Sequence, residues 1–166
     1  MNRIAQFLHV SPQRFLEDWE DTFHDSALPA MPELPRRATA GSAGYDFFSP
    51  MDFRLEPGEV IRIPTGIRAR IAEGWVLMLF PRSGLGFKYR LQLNNTVGIV
   101  DADYFGAKNE GHIFVKLTNA GDRALSVAAG EAFAQGVFLP FGLTTDDAAA
   151  GERTGGFGST DMGMVE

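Results

Sequence analysis

The sequence predicts an all-β domain of the sandwich, barrel or jelly-roll type, and three observations support this prediction. The chain has 166 residues, of which 45% are hydrophobic, so one domain can bury a sizeable core. Several short segments alternate apolar and polar side chains with a period of two, which is typical of half-buried strands. Turn-forming sequences such as Glu56–Gly58 and Ala129–Gly130 separate these segments at short intervals, as in known all-β folds.

The first 34 residues differ from the rest and predict an N-terminal extension with one amphipathic helix. Ser11 is a favourable N-cap residue, and Pro12 suits the first helical position. A helix over about residues 12–24 gathers four large apolar side chains on one face: Phe15, Leu16, Trp19 and Phe23. Three prolines then predict an extended connector over Leu28–Pro35.

The β pattern begins after this connector and predicts a β domain over residues 35–150. Alternating strands are predicted at 61–63, 67–71 and 112–117. The run Trp75–Phe80 is apolar throughout and predicts a strand that is buried on both faces. Glu131–Leu139 predicts a further strand. Residues 151–166 are rich in glycine, so we expect a flexible C-terminal arm there.

Composition and motifs exclude several classes of function. The formal net charge is −6, whereas direct nucleic-acid binding normally needs a basic face. The longest apolar run is too short to cross a membrane, and the N-terminus lacks the apolar core of a signal peptide. The absence of cysteine rules out disulfides and thiolate chemistry and fits a cytosolic location. The sequence has no P-loop, no zinc-type histidine spacing and no nucleophile elbow.

Two segments combine residue types that suit phosphate or nucleotide chemistry. Pro81–Arg90 begins with a cation, a hydroxyl and an open backbone amide at Arg82, Ser83 and Gly84, which could cradle an anion or form an ordinary polar turn. In Asn94–Gly106, Gly98 could let a flat ligand approach a hairpin limb, and Asp101 could act as a general base for water. A plain hairpin turn with solvated acids is the alternative.

Three further positions attract attention, each with a structural alternative. Asp46 could cap a turn, pair with an arginine, or contact a metal through water. Gln135 could bind a ligand or simply lie at a strand edge. Phe157 lies between glycines near the chain end, where a ring on a hinge could stack on a flat partner or the tail could be disordered.

Taken in order, five segments of this chain resemble the motifs of the trimeric dUTPase family. Any one motif is weak, but five in the right order over residues 35–161 are specific. They are AGYD at Ala43–Asp46, PRSG at Pro81–Gly84, GIVDADY at Gly98–Tyr104, GEAFAQ at Gly130–Gln135, and GGFGST at Gly155–Thr160.

The resemblance implies a distorted jelly roll, a homotrimer with active sites built from all three chains, and Mg²⁺-dependent hydrolysis of dUTP to dUMP and pyrophosphate. It implies that Asp101 is the general base and that Tyr104 packs on the deoxyribose. Uracil would be read by Asn95 and by the backbone of Gly98, Ile99 and Val100. Phosphate contacts are implied for Arg82, Ser83, Gly84 and Gln135, and water-mediated contact with Mg²⁺ for Asp46. In the arm, Phe157 would stack on uracil, while Arg153, Gly158, Ser159 and Thr160 would hold the phosphates.

The chain departs from the family pattern in several places, including Ala132 in the fourth motif and Asp161 after Thr160. The arm is one residue shorter between Arg153 and the GGF sequence. Phe105–His112 reads as an insertion, which we expect to lengthen the loop beside the deoxyribose pocket. The N-terminal helix lies outside the common family core. Two alternatives remain. The first is a related dCTP deaminase, but Lys116 occupies the position where the catalytic acid of that family is expected, which argues against it. The second is a dUTPase-like module that senses nucleotide or binds a partner.

Overall fold

The computed structural model describes residues 2–151, and β-strands dominate this part of the chain. Residues 152–166, including the predicted arm contacts Arg153, Phe157, Gly158, Ser159 and Thr160, lie outside it. The described strands are β1 Ala5–His9, β2 Tyr45–Phe48, β3 Phe53–Leu55, β4 Val60–Pro64, β5 Ile67–Ile71, β6 Trp75–Pro81, β7 Leu91–Leu93, β8 Gly98–Val100, β9 Phe114–Asn119, β10 Leu125–Val127 and β11 Ala132–Pro140. The helices are α1 Pro12–Phe23, α2 Ser83–Tyr89 and a 3₁₀ helix at Ala102–Gly106.

The strands form four antiparallel sheets around one hydrophobic core. A four-stranded sheet has the order β2-β11-β6-β8, and a three-stranded sheet has the order β4-β9-β7. Two pairs, β1-β5 and β10-β3, complete the arrangement. The core consists of inward-facing residues from these strands, among them Phe47, Ile63, Ile67, Leu77, Leu79, Val115, Leu117 and Phe133. The predicted all-β class is therefore confirmed.

The N-terminal helix forms where the sequence predicted it. The Ser11 hydroxyl accepts a hydrogen bond from the Arg14 amide at 3.1 Å, and Pro12 occupies the first turn, so the N-terminus is capped as expected. At the C-terminus, His24 adopts the left-handed conformation and its amide donates to Glu20 O. Phe15 and Trp19 are buried together with Val10 in a second, smaller apolar cluster. This cluster anchors α1 to the β domain.

Three features of the fold differ from the sequence-based expectation. The N-terminal segment also contributes β1, which pairs with β5 over its full length. The segment after Pro81 forms the helix α2 rather than a simple turn. In β6 only Leu77 and Leu79 are fully buried, and their neighbours are half-buried, so the prediction of a strand buried on both faces was wrong for the described chain. No helix within residues 2–151 is long and apolar enough to cross a bilayer.

Candidate active site

The four-stranded sheet places segments of four predicted motifs beside one another. Asp46 in β2 lies opposite Gln135 in β11. On the other side of β11, Ala134 lies opposite Pro81, the last residue of β6, and Arg82 follows directly. β6 in turn pairs with β8, which carries the predicted uracil-reading backbone of Gly98–Val100. Segments that are far apart in sequence thus share one sheet because β11 and β6 occupy its centre.

A cluster of three predicted site residues stands at the end of β6. The Arg82 guanidinium lies 3.4 Å from the Asp46 carboxylate, with Nε facing Oδ1. The Gln135 amide donates from Nε2 to the Pro81 carbonyl at 3.2 Å. Gly44 makes room for this arrangement, since a Cβ there would stand 2.5 Å from Gln135 Oε1. Asp46 therefore pairs with an arginine, one of the possibilities raised by the sequence, and the cluster offers a cation, a carboxylate and an amide at one point.

The remaining predicted phosphate contacts lie at the start of α2 and are exposed to solvent. Ser83 and Gly84 are exposed, as is Arg82 at the N-cap position. Among the described residues, a Cβ built on Gly84 would meet nothing within 4 Å apart from its chain neighbours and the backbone of its own helix. The backbone of this segment is accessible to a ligand, which agrees with the predicted cradle, although the phosphate contacts themselves stay predictions.

The predicted hairpin around Gly98 is a crossover between sheets. β8 pairs with β6, whereas β7 pairs with β9 in the three-stranded sheet. Asn95 lies exposed in the connecting turn, and Ile99 is half-exposed on β8. A Cβ on Gly98 would stand 2.9 Å from Leu79 Cβ, so close packing on β6 already accounts for glycine at this position. The suggestion that glycine is needed there for ligand approach stays a prediction.

Asp101 directly precedes the 3₁₀ helix, and Tyr104 is its third residue. Asp101 is half-buried directly after β8, and its carbonyl accepts a hydrogen bond from the Tyr104 amide at 3.2 Å. Tyr104 is 2% exposed, and its hydroxyl donates to the carbonyl of His112 at 2.6 Å. Asn109 Nδ2 donates to the same hydroxyl at 2.7 Å. The tyrosine is thus held firmly, in part by the segment that the sequence identified as an insertion.

One chain does not bring Asp101 close to the cluster of Asp46, Arg82 and Gln135. Gly98 lies opposite Leu79 in an antiparallel pair. From this level, Arg82 lies three residues further in one direction, just past the end of β6, and Asp101 lies three residues further in the other, just past the end of β8. Six strand positions at about 3.4 Å each separate the two groups by about 20 Å along the sheet. A site that needs both groups therefore cannot form within a single copy of this sheet.

The insertion Phe105–His112 docks on the N-terminal helix, a contact that sequence reasoning missed. Both carboxylate oxygens of Glu110 accept hydrogen bonds from Ser11, one from its amide at 2.8 Å and one from its hydroxyl at 2.6 Å. Hydrogen bonds from the Ser11 side chain and backbone lower the pKa of Glu110. Arg68 lies over the Phe105 ring and donates to the Phe105 carbonyl at 2.7 Å. These contacts fix both ends of the insertion.

A buried pair of Asp18 and His112 lies at the centre of this contact. His112 Nδ1 hydrogen-bonds to Asp18 Oδ2, and Nε2 accepts a hydrogen bond from the Gly66 amide at 2.8 Å. Because an amide N–H can only donate, Nε2 carries no proton and the ring is the neutral Nδ1–H tautomer. Burial lowers the pKa of His112 and outweighs the effect of Asp18, which raises it.

Asp18 is ionised in this pair. Burial alone would raise the pKa of Asp18, but hydrogen bonds from His112 and Arg14 outweigh it and hold the pKa below its ordinary value. Arg14 donates to both oxygens of this carboxylate, from Nε at 3.0 Å and from Nη2 at 2.6 Å. The partners Asp18 and His112 are separated by 94 residues, and no sequence pattern links them.

The described residues fit a magnesium ion that is coordinated mainly by water and substrate phosphates and only in small part by the protein. Among residues 2–151, no three His, Cys, Asp or Glu side chains form a cluster that could hold a metal. Mg²⁺ commonly keeps several waters and takes one or two carboxylates together with substrate phosphates. Asp46 is 18% exposed beside Arg82, so its carboxylate can meet such a hydrated ion from one side. The donor set suits this mode of binding and does not suit an all-protein cage.

Comparison with known proteins identifies the family to which this chain belongs. A family model described as dUTPase matches residues 31–160. The deoxyuridine 5'-triphosphate nucleotidohydrolase of Lactococcus lactis subsp. lactis is 42% identical over 130 residues, which cover 76% of this chain and 87% of the relative. The chain belongs to the dUTPase family. The family match confirms the predicted resemblance and the prediction that the chain is an enzyme, a dUTP diphosphatase.

Solved dUTPase structures share the fold. The dUTPase of Streptococcus mutans has a TM-score of 0.62 at 34% identity, over 83% of this chain and 97% of that chain. The dUTPase of Staphylococcus bacteriophage 80alpha has a TM-score of 0.63 over 90% of this chain and 98% of that chain. At 21% identity, the phage protein supports the fold alone. Together with the sheet order, these matches confirm the predicted jelly-roll class. The family match begins at residue 31, so β1 and α1 lie outside it.

Proposed function

We propose that this dUTPase hydrolyses dUTP to dUMP and pyrophosphate through a water molecule that Asp101 orients for in-line attack on the α-phosphorus. The Asp101 carboxylate accepts a proton from the water as the new bond between oxygen and phosphorus forms. The bond from the α-phosphorus to the oxygen that bridges the α- and β-phosphates breaks, and pyrophosphate leaves with that oxygen. The family match carries the overall reaction.

The cluster at the end of β6 suits the triphosphate. Arg82 supplies a guanidinium for phosphate oxygens, and Gln135 supplies an amide from the neighbouring strand. The exposed backbone of Ser83 and Gly84 completes this surface. When bound, Mg²⁺ neutralises charge on the phosphate oxygens, and Asp46 would hold it through water. A mutant of the dUTPase of phage phi11 of S. aureus, which shares the fold, coordinates a structural Mg(II) ion.

Base and sugar selection belong to the region around β8. Asn95 and the backbone of Gly98–Val100 read the polar edge of uracil, and the mismatched edge of cytosine leaves their donors and acceptors unpaired. Tyr104 packs against the deoxyribose and leaves no space for a 2′-hydroxyl. The firm hold on Tyr104 supports this role, because exclusion by contact requires a wall that does not yield.

The distance of about 20 Å between Asp101 and Arg82 supports an active site shared between subunits. We therefore assign a homotrimer, in which Asp101 of one chain faces the phosphate cluster of another. Phe87 in α2 is 93% exposed, which suits a surface that a neighbouring subunit covers. The C-terminal arm supplies Phe157 for stacking on uracil and Arg153, Gly158, Ser159 and Thr160 for the phosphates. A cytosolic location and the absence of direct nucleic-acid binding stay predictions.

The test is pyrophosphate release from dUTP, dCTP, dTTP and UTP with Mg²⁺, comparing the wild type with Asp101→Asn. We expect the wild type to turn over dUTP selectively and Asp101→Asn to lose about 10²–10⁴-fold in kcat while still binding dUTP. Asp122→Asn removes the same charge at an exposed position and serves as the control. Full activity in Asp101→Asn would refute the assignment of the base. A wild type that binds dUTP without turnover would favour the binding module, and release of ammonia from dCTP, measured in a parallel assay, would favour the deaminase.

A further inference from the structure

The contact between α1 and the insertion lies directly behind Tyr104. We call Ala107–His112 the insertion loop. This loop leaves the 3₁₀ helix, turns at Gly111 and returns beneath Tyr104. Gly111 has a φ of 70°, and a Cβ on it would stand 2.6 Å from the Tyr104 carbonyl oxygen. The loop is therefore in backbone contact with the residue that it surrounds, and a shift of the loop is transmitted to that residue.

Two groups of the insertion loop hold the Tyr104 hydroxyl. The His112 carbonyl accepts its proton, and Asn109 Nδ2 donates to its oxygen. Asn109 is itself fixed, because its Oδ1 accepts a hydrogen bond from the Gly111 amide at 3.3 Å. The hydroxyl thus has both a donor and an acceptor from the same short loop, and these fix the ring along its long axis.

The position of the insertion loop is set by α1. Asp18 holds the ring of His112 from the helix side, and the Gly66 amide holds it from the turn before β5. Glu110 ties the other side of the loop to the N-terminus of α1 through Ser11. A chain of direct contacts therefore runs from Asp18 through His112 to Tyr104. α1 lies outside residues 31–160, which the family model matches, so this support comes from beyond the matched domain.

We propose that Asp18, His112 and Asn109 are positioning residues that fix Tyr104 and so determine how strongly the enzyme prefers deoxyribose over ribose. This inference rests on the proposed function, in which Tyr104 packs on the sugar. The exclusion of a 2′-hydroxyl depends on about a few tenths of an ångström at the wall of the pocket, because overlap energy rises steeply as two atoms come closer than their contact distance. Base selection depends on β8, a different element, and does not require the insertion loop.

The experiment compares two ratios of kcat/KM in the full chain with Mg²⁺: dUTP over UTP for the sugar, and dUTP over dCTP for the base. The variants are Asp18→Ala, which removes the partner of His112, and Asn109→Ala, which removes a hydrogen bond to Tyr104 at a half-buried position. Phe23→Leu is the matched control, because it weakens the packing of Phe23 on Trp19 within α1 and leaves in place the residues that hold the loop. Ratios of kcat/KM cancel any difference in the folded fraction of enzyme.

We expect the preference for dUTP over UTP to fall by about tenfold in Asp18→Ala and Asn109→Ala, and the preference for dUTP over dCTP to change by less than about twofold. Phe23→Leu should keep both ratios while its melting temperature falls. Asp18→Asn keeps an acceptor for His112 and should recover part of the sugar preference. A wild-type sugar ratio in both alanine variants, or an equal fall of both ratios in all variants, would overturn the inference. A wild type that does not select dUTP would refute the proposed function, a separate result.

Discussion

Stability should fall as the pH drops from 7 to 5.5 because His112 is buried as the neutral Nδ1–H tautomer. Burial lowers its pKa below the ordinary value of 6.5, and a proton on Nε2 would oppose the Gly66 amide. In the unfolded chain the same ring takes up a proton near its ordinary pKa. The unfolded state therefore binds more protons than the native state in this window. The contribution of the neutral His112 ring to stability is therefore complete above pH 6.5 and is lost progressively below it.

The magnitude follows from one proton. If the native ring stays neutral throughout the window, the free energy of unfolding falls by up to about 1.4 kcal/mol per pH unit well below pH 6.5. Between pH 7 and 5.5 the loss is about 1 kcal/mol. The other ionisable groups around His112 do not produce this slope. The pKa values of Asp18 and Glu110 are lowered from 3.8 and 4.5, so the contributions of these carboxylates to stability are lost only at lower pH.

The assay is urea unfolding at pH 7.0, 6.25 and 5.5, at one protein concentration because assembly contributes to stability. His112→Gln keeps an acceptor for the Gly66 amide but cannot be protonated. We expect this variant to be less stable at pH 7 and to show a slope smaller by about 1 kcal/mol over the window. Phe23→Leu should lose stability and keep the wild-type slope. Identical slopes for the wild type and His112→Gln would refute the assignment of a neutral buried imidazole.

Three further predictions follow from the site. Gly111→Ala should cost about 1–3 kcal/mol in urea unfolding, because alanine is strained at this positive φ and its Cβ overlaps the Tyr104 carbonyl; unchanged stability would contradict that geometry. Gly44→Ala should raise KM for dUTP several-fold with little change in melting temperature, since the Cβ displaces only the end of the Gln135 side chain; an unchanged KM would remove Gln135 from the phosphate site. Chelation by EDTA should abolish turnover, and Asp46→Asn should require more Mg²⁺ for half-maximal rate than the wild type, an effect absent if Asp46 serves only to pair with Arg82.

The parts of the fold that the sequence predicted depend on local physics. Ser11 and Pro12 mark the start of α1 because capping uses residues within one turn. Ile67–Ile71 is identified as a strand because alternate side chains are buried, and Ile67, Ala69 and Ile71 are indeed in the core. The site residues were named through the order of five motifs, and the structure places Asp46, Arg82 and Gln135 together.

The parts that the sequence did not predict depend on contacts between distant segments. Ala5–His9 has no β-branched residue, and it forms a strand because β5 offers it a partner. Ser83–Tyr89 contains two glycines, which disfavour a helix, yet α2 forms after the end of β6. The pair of Asp18 and His112 joins the N-terminal extension to the insertion. Neither the length nor the composition of either segment predicts this contact.

The pairing of β1 with β5 has a consequence for what a shortened chain would do. Within the part of the chain that the structure describes, β5 forms a ladder with β1 and with no other strand. A chain trimmed to the family match at residue 31 would leave the backbone donors and acceptors of Ile67–Ile71 without this partner. Bare strand edges recruit strands from other molecules and lead to aggregation. The N-terminal segment thus covers an edge of β5 that such a truncation would expose.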